Sequence, residues 1–525
     1  MADCSMEPAA LRMPCDLQLA NWTMEPALCA PGLPVEYGST EVFGSCYQTS
    51  VPICEGGQQC EYEVDKQCNP IETESQEFVV DIHNMEMITP SIKIIPQNPI
   101  HVFRGVADDC EHDLEITRNK MHRYPASIRA LRLDERYTTP TVVAIGPYYH
   151  GRNRHLEKAE KMKHLAAYQC LTDSGYSVEQ MYDAVVPVAR GVRHLYDKDV
   201  MEGIGNDDFL PMMFFDACFL VQYMLIMSHY SSGPLDMEES LSTFFDSNQN
   251  EIFHDIMLLE NQIPWPVVQT IMMFRPVLME KFIYAVKDCL QDLKRREDES
   301  FLKEDIYQHP PHLLGLLRFC IVGESKTKSK IQFDSENQIS LSASANELAE
   351  IGIKLKAKEN AKLVHMGVET NGSIFGKLFL APLSLDDARA SCLVSMAALE
   401  LCTTSNFQDE DVKDEASAVC SYLLLLAMLV AREEDVQKLR TNHILLGAGL
   451  ADSEVLDFFT KLHGLRLGSS YVRTMIDIQR YTTKRPRWIK WYAFYYRNKT
   501  TFAQIGSFTV GIATIIATIL AGIKP

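Results

Sequence analysis

The sequence predicts a mainly α fold: one large multi-helix domain with a small β-hairpin, followed by a single C-terminal transmembrane helix. Three observations support this fold class. From about Lys120 onward, apolar residues recur three and four positions apart, which is the spacing of amphipathic helices. One Asn-Gly pair separates two strand-like runs, and an uncharged apolar segment lies near the C-terminus. A length of 525 residues would suggest three or four domains at roughly 150 residues each. These patterns indicate one large domain with appendages instead.

Residues 1–105 are predicted to form an acidic, disordered extension, because prolines recur and no helical period is sustained. Residues 1–115 hold 4 basic and 20 acidic residues, a net of −16, whereas residues 116–525 hold 46 and 50, a net of −4. The total of −20 argues against nucleic acid as a partner, because phosphate binding requires a basic surface.

The extension also holds seven of the 15 cysteines, and no two of the seven form a Cys-x-x-Cys pair. Zinc sites usually contain such pairs. Free thiols in a reducing compartment are therefore favoured over a metal site.

The helical domain is predicted over residues 119–496. Its candidate helices are Leu156–Leu171, Phe209–Met227, Glu251–Val268, Leu278–Arg296 and Ala416–Arg440. The second of these is long and apolar enough to raise the question of a membrane span, but Asp216 lies near its middle. Because an acid is costly in a bilayer, a buried core helix is favoured.

The β-hairpin is predicted around Asn371-Gly372. Strand-like runs at Leu363–Glu369 and Lys377–Ala381 flank this pair. Asn and Gly both tolerate the positive φ that a tight hairpin turn requires. The pattern therefore indicates one hairpin in an otherwise helical domain.

A membrane span is predicted from Phe502 to Ile523. These 22 uncharged residues would extend about 33 Å as a helix, against a bilayer core of about 30 Å. Between Arg480 and Lys499, seven basic residues are interleaved with aromatic residues, a composition that the headgroup region favours. The alternative is a buried C-terminal helix with a solvated basic flank.

The positive-inside rule predicts that the bulk of the chain is cytosolic, with the plasma membrane as the expected location. Two residues follow the span, so insertion is expected after the ribosome has released nearly the whole chain. Ala513, Ala517 and Ala521 form a small-residue stripe that would suit homo-oligomerisation through the span. In the reversed topology the domain would lie outside the cell, and the sequon at Asn371 would be open to glycosylation.

The segment Asp255–Pro264 is the most polar cluster in an apolar setting. In a catalytic interpretation, Asp255 and Glu260 would perform acid–base chemistry, with Asp216 as a further candidate. In the structural interpretation, which is favoured, the proline ends a helix and the Glu-Asn-Gln side chains bond backbone groups. The residues assigned to this motif are Asp255, Glu260, Asn261, Gln262 and Pro264. Signatures of nucleotide, dinucleotide, protease or kinase chemistry are lacking, so no catalytic, cofactor or metal residue is predicted.

Several blocks, taken in order, resemble the plant family called domain of unknown function 247 over about residues 119–525. The blocks are Met121–Pro125, Tyr137–Pro140, Val143–Gly151, Leu156–Lys163, Phe209–Leu220, Asp255–Pro264, Ser344–Lys354 and Arg432–Leu439. The most specific of them contains Gly146, Pro147, Tyr148, His150 and Gly151. The sequence departs from the family pattern at Tyr124, Tyr149, Ala159 and Ala217.

The resemblance implies a membrane-attached, mostly helical plant protein without established enzymatic activity and without catalytic residues to carry over. It also implies a recognition role, since grass members are associated with self-incompatibility. The leading hypothesis is therefore a membrane-anchored interaction protein whose acidic arm recruits an unidentified protein partner. The alternative is a membrane-bound hydrolase that uses buried carboxylates.

Overall fold

The computed structural model describes residues 117 and 119–504, apart from gaps at 153, 230–235, 292–309, 324–342, 360, 371–373, 408, 410–411 and 448. Every described residue belongs to Ile94–Pro525, the second of the two units into which the chain divides. The acidic extension 1–105, with its cysteines, lies outside the described residues. So do residues 505–523 of the predicted membrane span.

The described part is mainly helical, as predicted. Its helices are α1 (Ala126–Ala130), α2 (Glu157–Ser174), α3 (Val178–Val192), α4 (Lys198–Met201), α5 (Asn206–His229), α6 (Glu239–Ser247), α7 (Gln249–Ile256), α8 (Trp265–Phe274), α9 (Met279–Gln291), α10 (Leu313–Val322), α11 (Ala345–Glu350), α12 (Asp387–Thr403), α13 (Ala418–Leu429), α14 (Glu433–Thr441), α15 (Asp452–Lys461), α16 (Ser469–Lys484) and α17 (Pro486–Arg497). Its strands are β1 (Ile353–Ala357), β2 (Gly367–Glu369), β3 (Gly376–Leu380), β4 (Leu383–Ser384) and β5 (Leu445–Leu446).

Helix α5 lies at the centre of one half of the core and packs against α2, α3, α8 and α9. Among the described residues it is the one continuous helix that is long and apolar enough to cross a membrane, yet 83% of its most apolar window is buried inside the domain. Phe209, Met213 and Phe219 on it are completely buried. The prediction of a core helix over Phe209–Met227 is confirmed.

Two predicted helices are each split in the structure. Glu251–Val268 forms α7 and α8, because Pro264 and Pro266 cannot donate the backbone hydrogen bonds that a continuous helix needs. Ala416–Arg440 contains α13 and α14, and the helical segments Asp414–Leu429 and Glu433–Thr441 meet at a bend of 117°. That bent pair also satisfies the length and apolarity of a span when its two halves are taken together.

The predicted hairpin is confirmed: β2 pairs antiparallel with β3, and Glu369 lies opposite Lys377. Its turn residues 371–373, including the Asn371 sequon, lie outside the described residues. The expectation of a lone hairpin was incomplete, because β1 pairs parallel with β3 and gives the order β1-β3-β2. A second pair, β4 with β5, is parallel as well. Parallel pairing joins distant segments and leaves no turn signal in the sequence.

Helix α17 is followed by a turn at Asn498 and by further helical residues, 499–504, whose side chains are exposed. The described residues thus include Phe502 but only the first few residues of the predicted span. The structure gives the C-terminal transmembrane helix no support, and this helix stays a prediction.

Helix α10 begins at His312, whose Nδ1 accepts a hydrogen bond from the backbone N–H of Gly315 at 3.2 Å. Burial, with a smaller contribution from His122, lowers the pKa of His312 to about 3. An unfolded histidine titrates near 6.5. Between these values the unfolded chain binds a proton that the folded chain excludes, so stability falls as the pH drops from about 6.5 towards 3.

The variant His312→Asn should keep a side-chain acceptor for the Gly315 N–H. It removes the imidazole whose protonation differs between the folded and unfolded chain. The slope of the free energy of unfolding against pH between 6.5 and 4 should decrease by about 1.4 kcal/mol per pH unit, the value of one proton. Urea unfolding across that pH range measures it. His443→Asn, at an exposed position whose φ of +56° suits asparagine, is the control. Equal slopes in both variants would contradict the prediction.

Candidate functional site

Residues 121–149, which we call the N-terminal strap, have little regular secondary structure, and residues 143–148 of the strap are buried. The strap contains α1 and a 3₁₀ turn at Glu135–Tyr137. Nevertheless Val143, Ile145 and Tyr148 are at most 2% exposed. Buried backbone N–H groups must be hydrogen-bonded, and here side chains from other segments supply the acceptors.

Asp255, which is completely buried, holds the middle of the strap. Its Oδ1 accepts hydrogen bonds from the backbone N–H of Thr141 at 2.8 Å and from the hydroxyl of Thr141 at 3.2 Å. Its Oδ2 accepts from the backbone N–H groups of Val142 and Val143 at 2.6 and 2.8 Å. Four donors of the strap therefore meet one carboxylate.

His254 joins the same network. Its Nδ1 lies 2.7 Å from Asp255 Oδ1, and its Nε2 lies 2.7 Å from the backbone carbonyl oxygen of Arg136. Burial lowers the pKa of His254, but the hydrogen bonds to the carboxylate and the carbonyl outweigh it, so the pKa is raised above its ordinary value. Both ring nitrogens face acceptors, which favours the doubly protonated imidazolium.

Asn261 joins the end of α7 to the strap, and Gln262 joins it to the start of α10. The Asn261 side chain accepts from Ile145 N–H at 2.7 Å and donates to the carbonyl oxygens of Val143 and Asp255 at 3.0 and 2.9 Å. The Gln262 amide donates to two carbonyl groups at the end of α7, those of Ile256 and Leu258, and its Oε1 accepts from Leu314 N–H. These two side chains therefore satisfy backbone groups that the helix end leaves open.

Asp216, on α5, holds the strap at Gly146. Its Oδ2 accepts from Gly146 N–H at 2.7 Å, and its Oδ1 lies 2.7 Å from Lys163 Nζ. Lys163 also contacts Glu160 Oε1 at 2.7 Å. Burial lowers the pKa of Lys163, but the two carboxylates outweigh it and raise the pKa above its ordinary value. The buried acid in α5 is thus matched by a buried cation on α2.

Gly146 makes this contact possible through its backbone conformation. Its φ is +74°, and a Cβ at this position would lie 2.6 Å from the carbonyl oxygen of Gln262. Pro147 and Tyr148 follow as buried residues, and the Tyr148 hydroxyl donates to the Met121 carbonyl oxygen at 2.6 Å. His150 is half-buried, and Gly151 has a φ of +66° with nothing within 4 Å of an added Cβ.

Glu260 holds the start of the strap. Its Oε1 accepts from Tyr124 N–H at 2.8 Å and from the Arg129 guanidinium at 3.2 Å, and its Oε2 accepts from the Tyr149 hydroxyl at 3.3 Å. Tyr124 and Tyr149 are two of the four departures from the family pattern. The hydroxyls of both tyrosines are hydrogen-bonded, that of Tyr149 to Glu260 and that of Tyr124 to the Ser395 hydroxyl at 2.8 Å.

The structure brings Asp216, Asp255 and Glu260 to one strap but assigns each a different set of backbone or charged partners. A hydrolytic pair would need a carboxylate that a substrate can reach. Asp255 is instead enclosed by its donors. Pro264 lies just before α8, at the end of the α7–α8 loop. The arrangement is therefore able to hold chain segments together, and its hydrogen-bonding capacity is used in doing so.

Within the described ranges, no group of three or more His, Cys, Asp or Glu residues could hold a metal ion. The seven cysteines in the same ranges are free thiols. Burial raises the pKa of the Cys392 thiol to about 12 and that of the Cys320 thiol to about 11. Such thiols are poor nucleophiles at neutral pH.

Sequence reasoning missed two further buried acids of the same kind. Glu400 is 1% exposed and pairs with Arg318 at 2.6 Å. It also accepts hydrogen bonds from the Val419 and Cys420 N–H groups at 2.9 Å, so a side chain of α12 caps the start of α13. Asp435, completely buried, accepts from the backbone and side chain of Asn346 at 2.9 Å. A lone acid within an apolar helical run, as at Glu400, is the signal that would have identified the first.

A family model covers the region of the chain that contains the sequence blocks. The model of the family DUF247, described as a plant protein of unknown function, matches residues 121–520. The chain belongs to this family. The DUF247 match begins at the first residue of the strap, so the strap and the carboxylates that hold it all lie inside the family region.

Two relatives of this DUF247 chain come from Arabidopsis thaliana. UPF0481 protein At3g47200 is 23% identical over 389 residues, which cover 69% of this chain and 77% of that protein. Putative UPF0481 protein At3g02645 is 25% identical over 222 residues, covering 40% of this chain and 39% of that protein. No solved structure gives a significant match.

We expect Gly146→Ala to destabilise the domain more than Gly151→Ala. Both place a Cβ on a left-handed backbone, which costs about 1–2 kcal/mol. Only Gly146→Ala also places its Cβ 2.6 Å from a backbone carbonyl oxygen, that of Gln262, which must then move away. Urea unfolding should give a free-energy loss for Gly146→Ala that is larger by about 1–3 kcal/mol. Equal losses would show that Gly146 does not require this close approach.

We expect Asp255→Asn to lower the free energy of unfolding by about 3 kcal/mol or more, because an amide NH₂ would face buried N–H donors. Asp457→Asn makes the same chemical change at an exposed pair with Lys461 and should have little effect. Chemical denaturation measures both. An Asp255→Asn variant of unchanged stability would contradict the role of Asp255 in holding the strap and would favour the catalytic interpretation.

Proposed function

We propose that this DUF247 protein is a membrane-anchored, non-enzymatic interaction protein. Its helical domain is held at the plasma membrane by the apolar segment 502–523, with the bulk of the chain in the cytosol. The rigid domain and the acidic arm 1–105 present surfaces to a protein partner. A recognition role of the self-incompatibility type, which the family resemblance implies, is part of this proposal.

One observation carries the membrane attachment: a stack of aromatic rings along α17 and the residues that follow it. We call it the aromatic ladder. Ring centroids lie 5.3 Å apart between Trp488 and Trp491, 6.1 Å between Trp491 and Tyr495, and 5.7 Å between Tyr495 and Phe502. The last three side chains are 59%, 45% and 43% exposed.

An exposed aromatic stack of this length is unusual on a protein surface that contacts only water. Tryptophan and tyrosine rings are enriched where hydrocarbon meets headgroups, because one part of the ring is apolar and another is polar. The ladder ends at Phe502, where the uncharged segment begins. Its position and composition therefore support attachment at this end of the chain.

The non-enzymatic part of the proposal is supported by the strap. Asp216, Asp255 and Glu260, which a hydrolase would use, are bonded to backbone N–H groups or to cationic side chains. A group that is buried with its partners satisfied costs stability to disengage. A structural use of these acids accounts for their burial without invoking a substrate.

Proximity labelling from the N-terminus of the full chain would identify the partner. The proposal expects a defined set of proteins at one membrane. Recovery of bulk cytosolic proteins alone, with the chain in the soluble fraction, would refute it. In the span, Ala513, Ala517 and Ala521 are the residues through which homo-oligomers would form.

We expect Ile515→Lys with Ile516→Lys to release the chain from membranes, because each charge at the centre of a span costs about 2.5–3.5 kcal/mol. The wild type should stay in the pellet after carbonate extraction, and the double variant should move to the supernatant. Met273→Lys with Leu467→Lys, which adds the same charge at exposed positions of the domain, should pellet like the wild type. A carbonate-soluble wild type would contradict the anchor.

A further inference from the structure

The three-stranded sheet presents a basic face to solvent. Lys354 and Lys356 alternate with buried residues along β1, and Lys377 does so along β3. Lys354 is the register partner of Lys377, which puts all three lysines on the same face. Glu369 on β2 lies opposite Lys377, so the face carries three cations and one anion on its strands.

This basic face is continuous with the aromatic ladder. Lys354 Nζ lies 5.0 Å from the centroid of the Phe375 ring. That ring in turn packs edge-on against Trp488 at 5.8 Å and Tyr492 at 5.2 Å. A hydrogen bond from α16 also reaches this junction, because the Tyr481 hydroxyl donates to the Ile374 carbonyl oxygen at 3.0 Å. One uninterrupted surface therefore runs from the sheet lysines to Phe502.

The ladder also indicates how this surface is oriented. Within α17, Trp488 and Tyr495 are seven positions apart, about 11 Å along a helix at 1.5 Å per residue, and Phe502 follows the turn at Asn498. Aromatic rings occupy one side over this whole length. A helix standing upright on a bilayer would place only its last turn in the headgroup region, so rings along its full length suit a helix lying in the interface plane.

Charge around α17 favours an anionic surface as the occupant. Arg487 and Lys490 are exposed on the helix, and no acidic residue follows Asp477 in the sequence. Glu350, which lies beside α17, is paired with Arg497 at 2.7 Å. Lysine provides a compact charge for phosphate, and each one near an anionic leaflet strengthens association by about fivefold.

We propose that Lys354, Lys356 and Lys377, together with the aromatic ladder, form a binding surface for the anionic phospholipid headgroups of a bilayer. The sheet lysines contact the phosphate and carboxylate groups, and the ladder inserts between headgroups. This inference rests on the proposed membrane attachment and goes beyond it, since an anchor alone has no lipid preference.

The test uses the full chain reconstituted into vesicles of phosphatidylcholine with about one-fifth phosphatidylserine, then extracted in polymer-bounded nanodiscs. Mass spectrometry of the co-purified lipid gives the phosphatidylserine fraction relative to the bulk vesicles. Three variants are compared with the wild type. They are the neutralised K354Q/K356Q/K377Q, the charge-retaining K354R/K356R/K377R, and K158Q/K161Q/K281Q, which removes three exposed lysines of α2 and α9.

We expect phosphatidylserine to be enriched about twofold or more around the wild type, the arginine variant and the α2–α9 control, and to be clearly less enriched around the neutralised variant, which keeps only the basic residues of α17. Assembly of wild-type discs in 1 M NaCl should also abolish enrichment, because the screening length falls from about 10 Å at 0.1 M to about 3 Å. The measurement in 1 M NaCl uses only the wild type, so it does not depend on whether any variant folds.

Two results would overturn the inference: wild-type discs whose lipid matches the bulk, or a neutralised variant that enriches phosphatidylserine as the wild type does. A chain that fails to enter carbonate-resistant discs at all would instead refute the membrane attachment, and the inference with it. Failure of the lipid preference and failure of the anchor are therefore distinguishable.

Discussion

Asp255 accepts four hydrogen bonds from the N-terminal strap while completely buried, and the arrangement of the domain around α7 and α8 depends on this contact. The buried part of the strap, residues 143–148, has no helix or strand of its own. Its backbone N–H groups would each be costly to bury unbonded. Asp216, Glu260 and Asn261 complete the set, so α5 and the α7–α8 loop are joined to the strap by polar contacts within an apolar core.

Buried carboxylates also accept hydrogen bonds from backbone N–H groups at the starts of other helices. Glu400 lies inside the apolar helix α12 and accepts from the first N–H groups of α13, while Arg318 supplies the opposite charge. Asp435 bonds the start of α11 in the same way. A buried carboxylate is favourable only when several donors surround it. That requirement explains why these acids are rigidly enclosed and why a single lost partner is expected to be costly.

The basic face of the sheet and the aromatic ladder lie on separate elements. The small sheet and α17 meet through Phe375, which contacts both a sheet lysine and the first ring of the ladder. Gly352 lies at this junction with a φ of +87°, and an added Cβ would lie 3.2 Å from the Tyr481 hydroxyl. Because the sheet is bonded into the domain and the ladder is stacked ring on ring, orientation of α17 at a bilayer would orient the whole domain.

Local sequence patterns were sufficient to predict the mainly helical class, the buried helix α5 and the β2–β3 hairpin, because each depends on residues a few positions apart. Apolar periodicity and an Asn-Gly turn are signals of that kind. The convergence of Asp216, Asp255 and Glu260 on one strap was decided by the tertiary structure, as was the parallel pairing of β1 with β3. Val142 and Asp255 are 113 residues apart in the chain. A hydrogen bond across that separation leaves no periodicity, since it exists only after folding has brought both buried partners together and removed water from them.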